Sequence, residues 1–311
     1  MELRYGILST SSIAPRFIGA VRASGKGEIG AVSSRSLEKA QEKAAQWSIP
    51  TAYGSHDELL QDKSINIVYI SNVNSQHYPW AKAALLAGKH VICEKPCTTT
   101  YGQTKELYEL AQGQGLFFME AQKMLFLPAV LEAKNRLGDL GKVTMVELSH
   151  SFPGSYNGWM FDKEAGGGPL LSSGIYAVEL IHWLFGSISQ ISGIANLENG
   201  VEWQYILTGQ TEGGVLFSAK NSTRAVLDNT CRIFGEKGYI ELPNYWKAQK
   251  VIFHIGGKEE TLEFPCQHEL IYEVHHIADC LEKGLLSSPV ITKELSLAGI
   301  QALEKAKQSW E

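Results

Sequence analysis

The first third of the chain alternates short apolar runs with segments in which apolar residues recur at helical spacing. Such alternation is typical of β-α-β units, because each helix carries the chain back along a parallel sheet to start the next strand. The pattern predicts strands at 3–8, 29–33, 67–71, 90–93 and 116–119, separated by helices at 13–23, 37–46, 56–61, 78–87 and 101–112. We therefore predict an α/β domain with a doubly wound parallel sheet over residues 1–120.

The pattern changes after residue 120. Longer segments of alternating apolar and polar residues now follow one another through glycine-bearing turns, among them KVTMVELSHSF, VEWQYILTG and CRIFGEKGYIEL. Consecutive strands joined in this way are typical of an antiparallel sheet. Helical spacing recurs at 128–137, 175–183, 269–282 and 292–309. The pattern predicts an α+β domain over residues 121–311 with a large, mostly antiparallel open sheet.

Composition argues against several classes of function. With 44% hydrophobic and 20% charged residues, the chain resembles a soluble globular protein, and a net charge of −5 without charged blocks gives no sign of nucleic-acid or membrane binding. The five cysteines form no CxxC pair, so we predict neither disulfides nor a metal site. The first residues lack the features of a signal peptide. We expect a cytoplasmic protein whose partners are small molecules.

The turn after the first strand, within YGILSTSSIAPRF, raises the question of a nucleotide site. A dinucleotide-binding turn carries glycines so that its backbone approaches a pyrophosphate, but here Ser9 and Ser11 stand at two such positions. Serine is small and its hydroxyl can bind a phosphate oxygen. The turn is either a modified nucleotide site or an ordinary turn. The residues that would contact the cofactor here are Gly6, Ser9, Thr10, Ser11, Ser12 and Ile13.

The end of the second strand bears on the choice of cofactor. An NAD-preferring site places Asp or Glu there for the ribose hydroxyls, whereas this chain has Ser34 and Arg35. A guanidinium and a hydroxyl suit the additional 2′-phosphate of NADP. We predict NADP, with NAD as the other dinucleotide that the site could accept. The competing interpretation makes Arg35 a surface residue ahead of the next helix.

The stretch VYISNVNSQHYPWAKAALLAGKHVICEKP contains two further strand ends. The first is followed by Ser71, Asn72, Asn74 and His77, and the second by Glu94, Lys95 and Pro96. In open α/β sheets, ligands bind beyond the carboxyl ends of the strands. We therefore predict that these polar residues reach the cofactor, and that Lys95 is a candidate catalytic group.

These motifs occur together and in order along nearly the whole chain. GILSTSSIA, NSQH, AGKHVICEKP and GGGPLLSSGIY resemble the Gfo/Idh/MocA oxidoreductases, and within that family the dimeric dihydrodiol dehydrogenase branch. The resemblance implies a Rossmann domain, an NADP-linked hydride transfer at a carbon bearing a hydroxyl or carbonyl, and a second domain for substrate binding and oligomerisation. It also implies a homodimer or higher homo-oligomer formed through the C-terminal sheet.

The resemblance further implies two catalytic residues. Lys95 matches the lysine of the family's EKP motif, and Tyr176 stands where this branch has a tyrosine and others a histidine. We predict that Tyr176 is the general acid/base. A free tyrosine has a pKa near 10, and a lysine close by would lower that value while its charge helps to hold the substrate oxygen. The alternative is that Tyr176 only packs on its helix.

Two departures from the family pattern concern the substrate. Ser172 stands where the family has aspartate, one helical turn before Tyr176, so it can share a face with Tyr176 but supplies no negative charge. Lys123 stands near positions where the branch carries a tryptophan and an arginine, and it is either a substrate contact or a solvated residue. Trp159 is a further candidate for the substrate mouth. Dihydrodiols, aldoses and other polyols remain open as substrates, as does a noncatalytic sensor of the same fold.

Overall fold

The computed structural model describes residues 2–154 and 158–310. The chain divides into two compact units, the first formed by Met1–Gln122 with His268–Lys293 and the second by Lys123–Gln267 with Glu294–Glu311. The predicted domain boundary at 120/121 stays a prediction, and in the structure a late segment, residues 268–293, belongs to the first unit. The strands are β1 (Arg4–Leu8), β2 (Glu28–Ser33), β3 (Thr51–Tyr53), β4 (Ile67–Ile70), β5 (His90–Glu94), β6 (Phe118–Ala121), β7 (Val143–Ser151), β8 (Ile188–Glu198), β9 (Val201–Thr211), β10 (Leu216–Ser222), β11 (Thr230–Gly235), β12 (Gly238–Pro243), β13 (Lys250–Ile255) and β14 (Lys258–Glu263). The helices are α1 (Ala14–Ser24), α2 (Leu37–Trp47), α3 (His56–Gln61), α4 (Asn74–Leu86), α5 (Tyr101–Gln114), α6 (Pro128–Asn135), α7 (Ile175–Phe185), α8 (Ile271–Glu282) and α9 (Lys293–Gln308).

The first unit contains a six-stranded parallel sheet in the order β3-β2-β1-β4-β5-β6. Its central strands are apolar and buried because helices cover both faces. The strand order reverses between β1 and β4, and the carboxyl ends of the strands meet along one edge there. The predicted doubly wound sheet is confirmed.

Helix α1 packs against this sheet through aromatic side chains. Phe17 stacks on Tyr69 of β4 with ring centroids 3.8 Å apart and meets Tyr5 of β1 edge to face. Helix α8 packs against α1 in the same unit. The chain after α8 also joins this sheet, since the Phe118 N–H donates to the Leu286 carbonyl. These contacts explain why residues 268–293 belong to the first unit and not to the second.

The second unit contains an eight-stranded sheet in the order β14-β13-β12-β11-β7-β10-β9-β8. Its ladders are antiparallel except for the parallel pair β7 and β10. Helix α7 lies against β9, and α6 lies against β12 and β13. The predicted mostly antiparallel sheet is confirmed.

Two strands and one helix start were not predicted correctly. Strand β3 has only three half-buried residues, and β14 reads KEETLE at the edge of its sheet, so neither shows an apolar run. Helix α4 begins at Asn74, four residues before the predicted start, and keeps Pro79 inside its second turn.

Candidate active site

The serine turn, residues 9–13, follows β1 and keeps a glycine-type backbone. Ser9 has φ 129°, a conformation that side chains rarely adopt. Its hydroxyl donates to the Ser71 carbonyl at 3.2 Å and accepts from the Ser11 N–H at 3.0 Å. The Ser11 hydroxyl also donates to Ser71 Oγ at 2.8 Å. The serine side chains therefore brace a backbone conformation that glycine normally provides.

The serine turn leads directly into the N-terminus of α1. Ile13 precedes the helix without a side-chain cap, and the first turn of the helix holds no acidic residue. Thr10 is half-buried and Ser12 is exposed. Backbone N–H groups at a helix N-terminus attract phosphate, and an acidic residue there would oppose it. The residues of this turn therefore fit a dinucleotide pyrophosphate.

Gly6 of β1 lies where the neighbouring segment packs closely. A Cβ at this position would lie 2.6 Å from Leu59 Cδ2 and 3.0 Å from Ile65 Cγ2. Gly6 thus makes room for the segment from α3 to β4, which packs on β1. This packing requirement explains the glycine by itself, and the cofactor contact of Gly6 stays a prediction.

His56 joins the ends of β2 and β4 behind the serine turn. The Asn72 amide nitrogen donates to His56 Nε2 at 3.2 Å, and His56 Nδ1 then donates to Ser33 Oγ at 2.7 Å. Burial lowers the pKa of His56 to about 4, with Asp57 opposing and Arg35 reinforcing the shift. His56 is therefore neutral at neutral pH. Arg35 itself is exposed at the end of β2, and its neighbour Ser34 is buried.

His77 is buried and its ring nitrogens face the backbone. Nδ1 lies 2.8 Å from the Pro96 carbonyl oxygen, and Nε2 lies 2.9 Å from the Asn72 carbonyl oxygen. Burial holds the pKa of His77 below its usual value, against the opposing effect of the two carbonyls. The ring therefore joins the segments that follow β4 and β5, and its predicted cofactor contact stays a prediction. Asn74 is buried at the first position of α4.

Glu94 and Lys95 lie at the carboxyl end of β5. Glu94 Oε1 accepts from the Tyr69 hydroxyl at 2.5 Å, and Oε2 accepts from the Lys95 N–H at 3.3 Å. Lys95 is half-buried. The Glu94 carboxylate therefore supports β4 and the start of the EKP segment.

In the second unit, Tyr176 and Lys123 lie together. Tyr176 is the second residue of α7, and Lys123 begins a 3₁₀ turn over Lys123–Phe126. Lys123 Nζ donates to Tyr176 Oη at 3.1 Å, and both residues are nine-tenths buried or more. The sequence left Lys123 open between a substrate contact and a solvated residue; the second alternative is wrong.

Ser172 lies in a wider turn than the sequence suggested. Residues Leu170–Gly174 form a π-helical turn ahead of α7, so the α-helical spacing assumed between Ser172 and Tyr176 does not apply. The Ser172 hydroxyl donates to the Gly168 carbonyl at 2.8 Å. Trp159 lies half-buried in the 3₁₀ turn Gly158–Phe161 before the GGGP turn.

Sequence reasoning missed two polar residues of these regions, His56 and Glu202. Glu202 is buried on β9, and its carboxylate accepts from the Leu170 N–H at 2.8 Å. Each contact joins residues that are distant along the chain, so no local spacing signals it. Among residues 2–154 and 158–310, no helix has the length and apolarity to cross a membrane, and no cluster of His, Cys, Asp or Glu could hold a metal ion.

Comparison with known proteins decides the family. Residues 3–122 match the model of the Gfo/Idh/MocA oxidoreductase family, described as an NAD-binding Rossmann fold. Residues 131–241 match the C-terminal domain model of the same family. The chain belongs to the Gfo/Idh/MocA oxidoreductase family. The predicted resemblance is confirmed, as is NAD(P) as the cofactor of the first unit.

Curated relatives cover nearly the whole chain. The trans-1,2-dihydrobenzene-1,2-diol dehydrogenase of Mus musculus is 32% identical, with 99% of this chain and 97% of the mouse protein covered. The Bos taurus enzyme of the same name is 34% identical, with 94% and 92% covered. This Gfo/Idh/MocA protein is therefore an oxidoreductase with dehydrogenase relatives.

Solved structures share the fold at lower identity. KijD10, a 3-ketoreductase from Actinomadura kijaniata in complex with NADP and TDP-benzene, superposes with a TM-score of 0.92 at 22% identity, covering 100% of this chain and 98% of that one. Levoglucosan dehydrogenase in complex with NADH and levoglucosan superposes with a TM-score of 0.91 at 18% identity, covering 99% and 97%. These likenesses support the two-domain architecture.

Proposed function

We propose that this oxidoreductase is NADP-preferring and interconverts a hydroxyl and a carbonyl on a small polyol, sugar or dihydrodiol, with Tyr176 as general acid/base and Lys95 assisting. The bound dinucleotide supplies or accepts the hydride. The observation that carries the proposal is the buried hydrogen bond from Lys123 Nζ to Tyr176 Oη at 3.1 Å. Together with the family assignment, it supports a proton-transfer role for this tyrosine.

The hydrogen bond from Lys123 bears on how Tyr176 handles a proton. The phenol oxygen accepts a hydrogen bond from the ammonium, and the phenolic O–H is the group proposed to exchange a proton with a substrate oxygen. A neighbouring cation stabilises the phenolate that forms when this proton is given up. A hydroxyl held in this way can donate a proton to a carbonyl oxygen during reduction and remove one from an alcohol during oxidation.

The preference for NADP rests on Arg35. Its guanidinium lies exposed beyond β2, followed by α2, whose cap Ser36 accepts from the Lys39 N–H. No acidic residue occupies positions 33–36, where a ribose-binding carboxylate would favour NAD. Arginine pairs well with phosphate because its N–H groups form a fork. Ser34, Ser71 and Asn72 are proposed as further cofactor contacts.

The substrate class follows from the relatives and from Ser172. The curated relatives are named for a dihydrodiol substrate, and one structural neighbour is bound to levoglucosan. Ser172 directs its hydroxyl to the Gly168 carbonyl and brings no negative charge. We expect vicinal hydroxyls to be bound less tightly than by a carboxylate. Lys123 and Trp159 are proposed to border the substrate.

We also propose a homodimer through the open face of the eight-stranded sheet. Four exposed apolar side chains share that face: Met145 lies opposite Leu216, and Ile194 lies opposite Ile206. Ile194 is 80% and Ile206 53% exposed, and an apolar patch of this kind calls for a cover. Light scattering should give twice the chain mass for the wild type and a single chain mass for Ile194→Lys. A monomeric wild type would contradict this part of the proposal.

The test of activity is a screen of trans-dihydrodiols, aldoses and polyols with NADP, and of the matching carbonyl compounds with NADPH, followed by nicotinamide absorbance. We expect turnover with at least one compound, loss of turnover in Lys95→Ala and Tyr176→Phe, and unchanged NADPH binding in Tyr176→Phe. Tight NADPH binding without turnover across the screen would overturn the catalytic proposal and favour a sensor of the same fold.

A further inference from the structure

The GGGP turn, Gly166–Pro169, leads into the π-helical turn and α7, and the sequence gives no reason for its glycines. A Cβ on Gly167 would lie 2.5 Å from the Met160 carbonyl oxygen. A Cβ on Gly168, which has φ 104°, would lie 2.7 Å from Glu202 Cδ. Gly168 is thus required by the close approach of the Glu202 carboxylate.

That carboxylate is buried deeply within the second unit. Glu202 is only 4% exposed on β9. Burial raises the pKa of its carboxyl, against the opposing effects of the Leu170 N–H, its own backbone N–H and Lys307. Burying a carboxylate is costly unless hydrogen bonds compensate. The position of Glu202 therefore calls for a structural reason.

The buried position of Glu202 is explained by its contact with the start of the π-helical turn that leads into α7 and Tyr176. Neither the π-helical turn nor α7 has a side-chain cap of its own. Glu202 Oε1 accepts from the Leu170 N–H at 2.8 Å, where a helix start presents unpaired N–H groups and a partial positive charge. A second residue of β9 supports the same segment, since a Cβ on Gly174 would lie 2.9 Å from Tyr205 Oη.

We infer that Glu202 is a positioning residue whose carboxylate, seated against Gly168 and bonded to the Leu170 N–H, fixes the start of the helix that presents Tyr176. The importance of that placement rests on the proposed function of Tyr176, but the contact itself does not. Glu202 acts through the backbone between residues 168 and 176 and touches no reacting atom. The oxygen of residue 202 must come within hydrogen-bond distance of the Leu170 N–H, so we expect the length of the side chain to matter more than its charge.

Three variants at residue 202 separate the effect of side-chain length from the effect of charge. Glu202→Gln keeps an acceptor oxygen at full length without the charge, Glu202→Asp keeps the charge on a side chain one methylene shorter, and Glu202→Ala removes both. We expect Glu202→Gln to retain kcat within about threefold, while Asp and Ala lower kcat roughly 10- to 100-fold because small misplacements of a catalytic group are costly. The Kd for NADPH should be the same in all variants, since the cofactor residues belong to the first unit.

A second readout does not depend on turnover. Fluorotyrosine is incorporated, and the ¹⁹F resonance of Tyr176 is assigned by its loss in Tyr176→Phe. We expect this resonance to stay in place in Glu202→Gln and to shift or broaden in Glu202→Asp and, where it folds, Glu202→Ala. An unmoved resonance in Glu202→Asp, or equal damage in Asp and Gln, would overturn the inference. If the resonance moves as expected but the wild type never turns over, the positioning role stands and the proposed function fails.

Discussion

The serine turn after β1 and the GGGP turn before α7 both lead into a helix, α1 of the first unit and α7 of the second, yet only the GGGP turn keeps its glycines. Ser9 adopts φ 129° and compensates with hydrogen bonds to Ser71 and Ser11. Gly168 adopts φ 104°, and a side chain there would meet Glu202. Both turns contain a residue with positive φ, but only at Gly168 does a neighbouring side chain occupy the space of a Cβ.

The difference teaches what a glycine motif is for. Where glycine is needed only for its conformational freedom, a small polar residue can replace it if new hydrogen bonds offset a strain of roughly 1–3 kcal/mol. Where glycine is needed because another group occupies the space of a Cβ, no such replacement is open. The serine turn belongs to the first case and the GGGP turn to the second.

The largest expected effect comes from Tyr176→Phe, which leaves both turns intact and removes only the hydroxyl. We expect kcat to fall roughly 10²- to 10⁴-fold, the range of general acid/base contributions, with no change in NADPH affinity and a loss of about 1–3 kcal/mol of stability, because Lys123 Nζ loses a buried acceptor. Steady-state kinetics and calorimetry check this. A loss of stability with little change in kcat would make Tyr176 a packing residue.

Gly168→Ala tests the crowded turn directly. A Cβ near the Glu202 carboxylate, in a backbone conformation unfavourable for alanine, should lower the free energy of unfolding by about 3 kcal/mol. Urea unfolding checks the value. Gly214→Ala in the same unit is the matched control, because Gly214 also has a positive φ but no atom of the described residues lies within 4 Å of its Cβ. Equal losses in both variants would mean that conformation, not space, sets the requirement at Gly168.

The pH dependence of stability tests the support behind the serine turn. The folded-state pKa of His56 is about 4, below its unfolded value of 6.5, so the unfolded chain binds more protons between these values and stability falls as pH drops through this window. We expect wild type to lose up to about 3 kcal/mol more than His56→Gln between pH 6.5 and 4. His275→Gln, in the same unit, is the control. Parallel pH profiles for wild type and His56→Gln would contradict the role of His56.

The smallest effect is expected at the serine turn itself. Ser9→Ala keeps the strain and loses both hydrogen bonds, which should cost about 1–2 kcal/mol. Ser9→Gly loses the same bonds but relieves the strain, and should lie within about 1 kcal/mol of wild type. Chemical unfolding of the two variants side by side checks the order. If Ser9→Gly is the less stable variant, hydrogen bonding and not conformation dominates this turn.

Patterns repeated along the chain could be predicted from sequence. The buried parallel strands and the change to alternating strands after residue 120 placed both sheets, and the motifs placed the family. Contacts between distant segments could not: nothing in the spacing shows that Lys123 meets Tyr176, that His56 joins Ser33 to Asn72, or that Glu202 explains the GGGP turn. The return of residues 268–293 to the first unit was missed because an amphipathic helix does not reveal which sheet it packs on.

The most direct test of the account is a titration of the purified protein with NADPH and with NADH, followed by nicotinamide fluorescence, on the wild type, Arg35→Ala and Lys39→Ala. Lys39→Ala removes one exposed positive charge from α2 and controls for charge alone. The account predicts micromolar or tighter NADPH binding that weakens in Arg35→Ala only, with NADH affinity little changed. If neither dinucleotide binds at micromolar concentration, the serine turn holds no pyrophosphate and the central claim is contradicted.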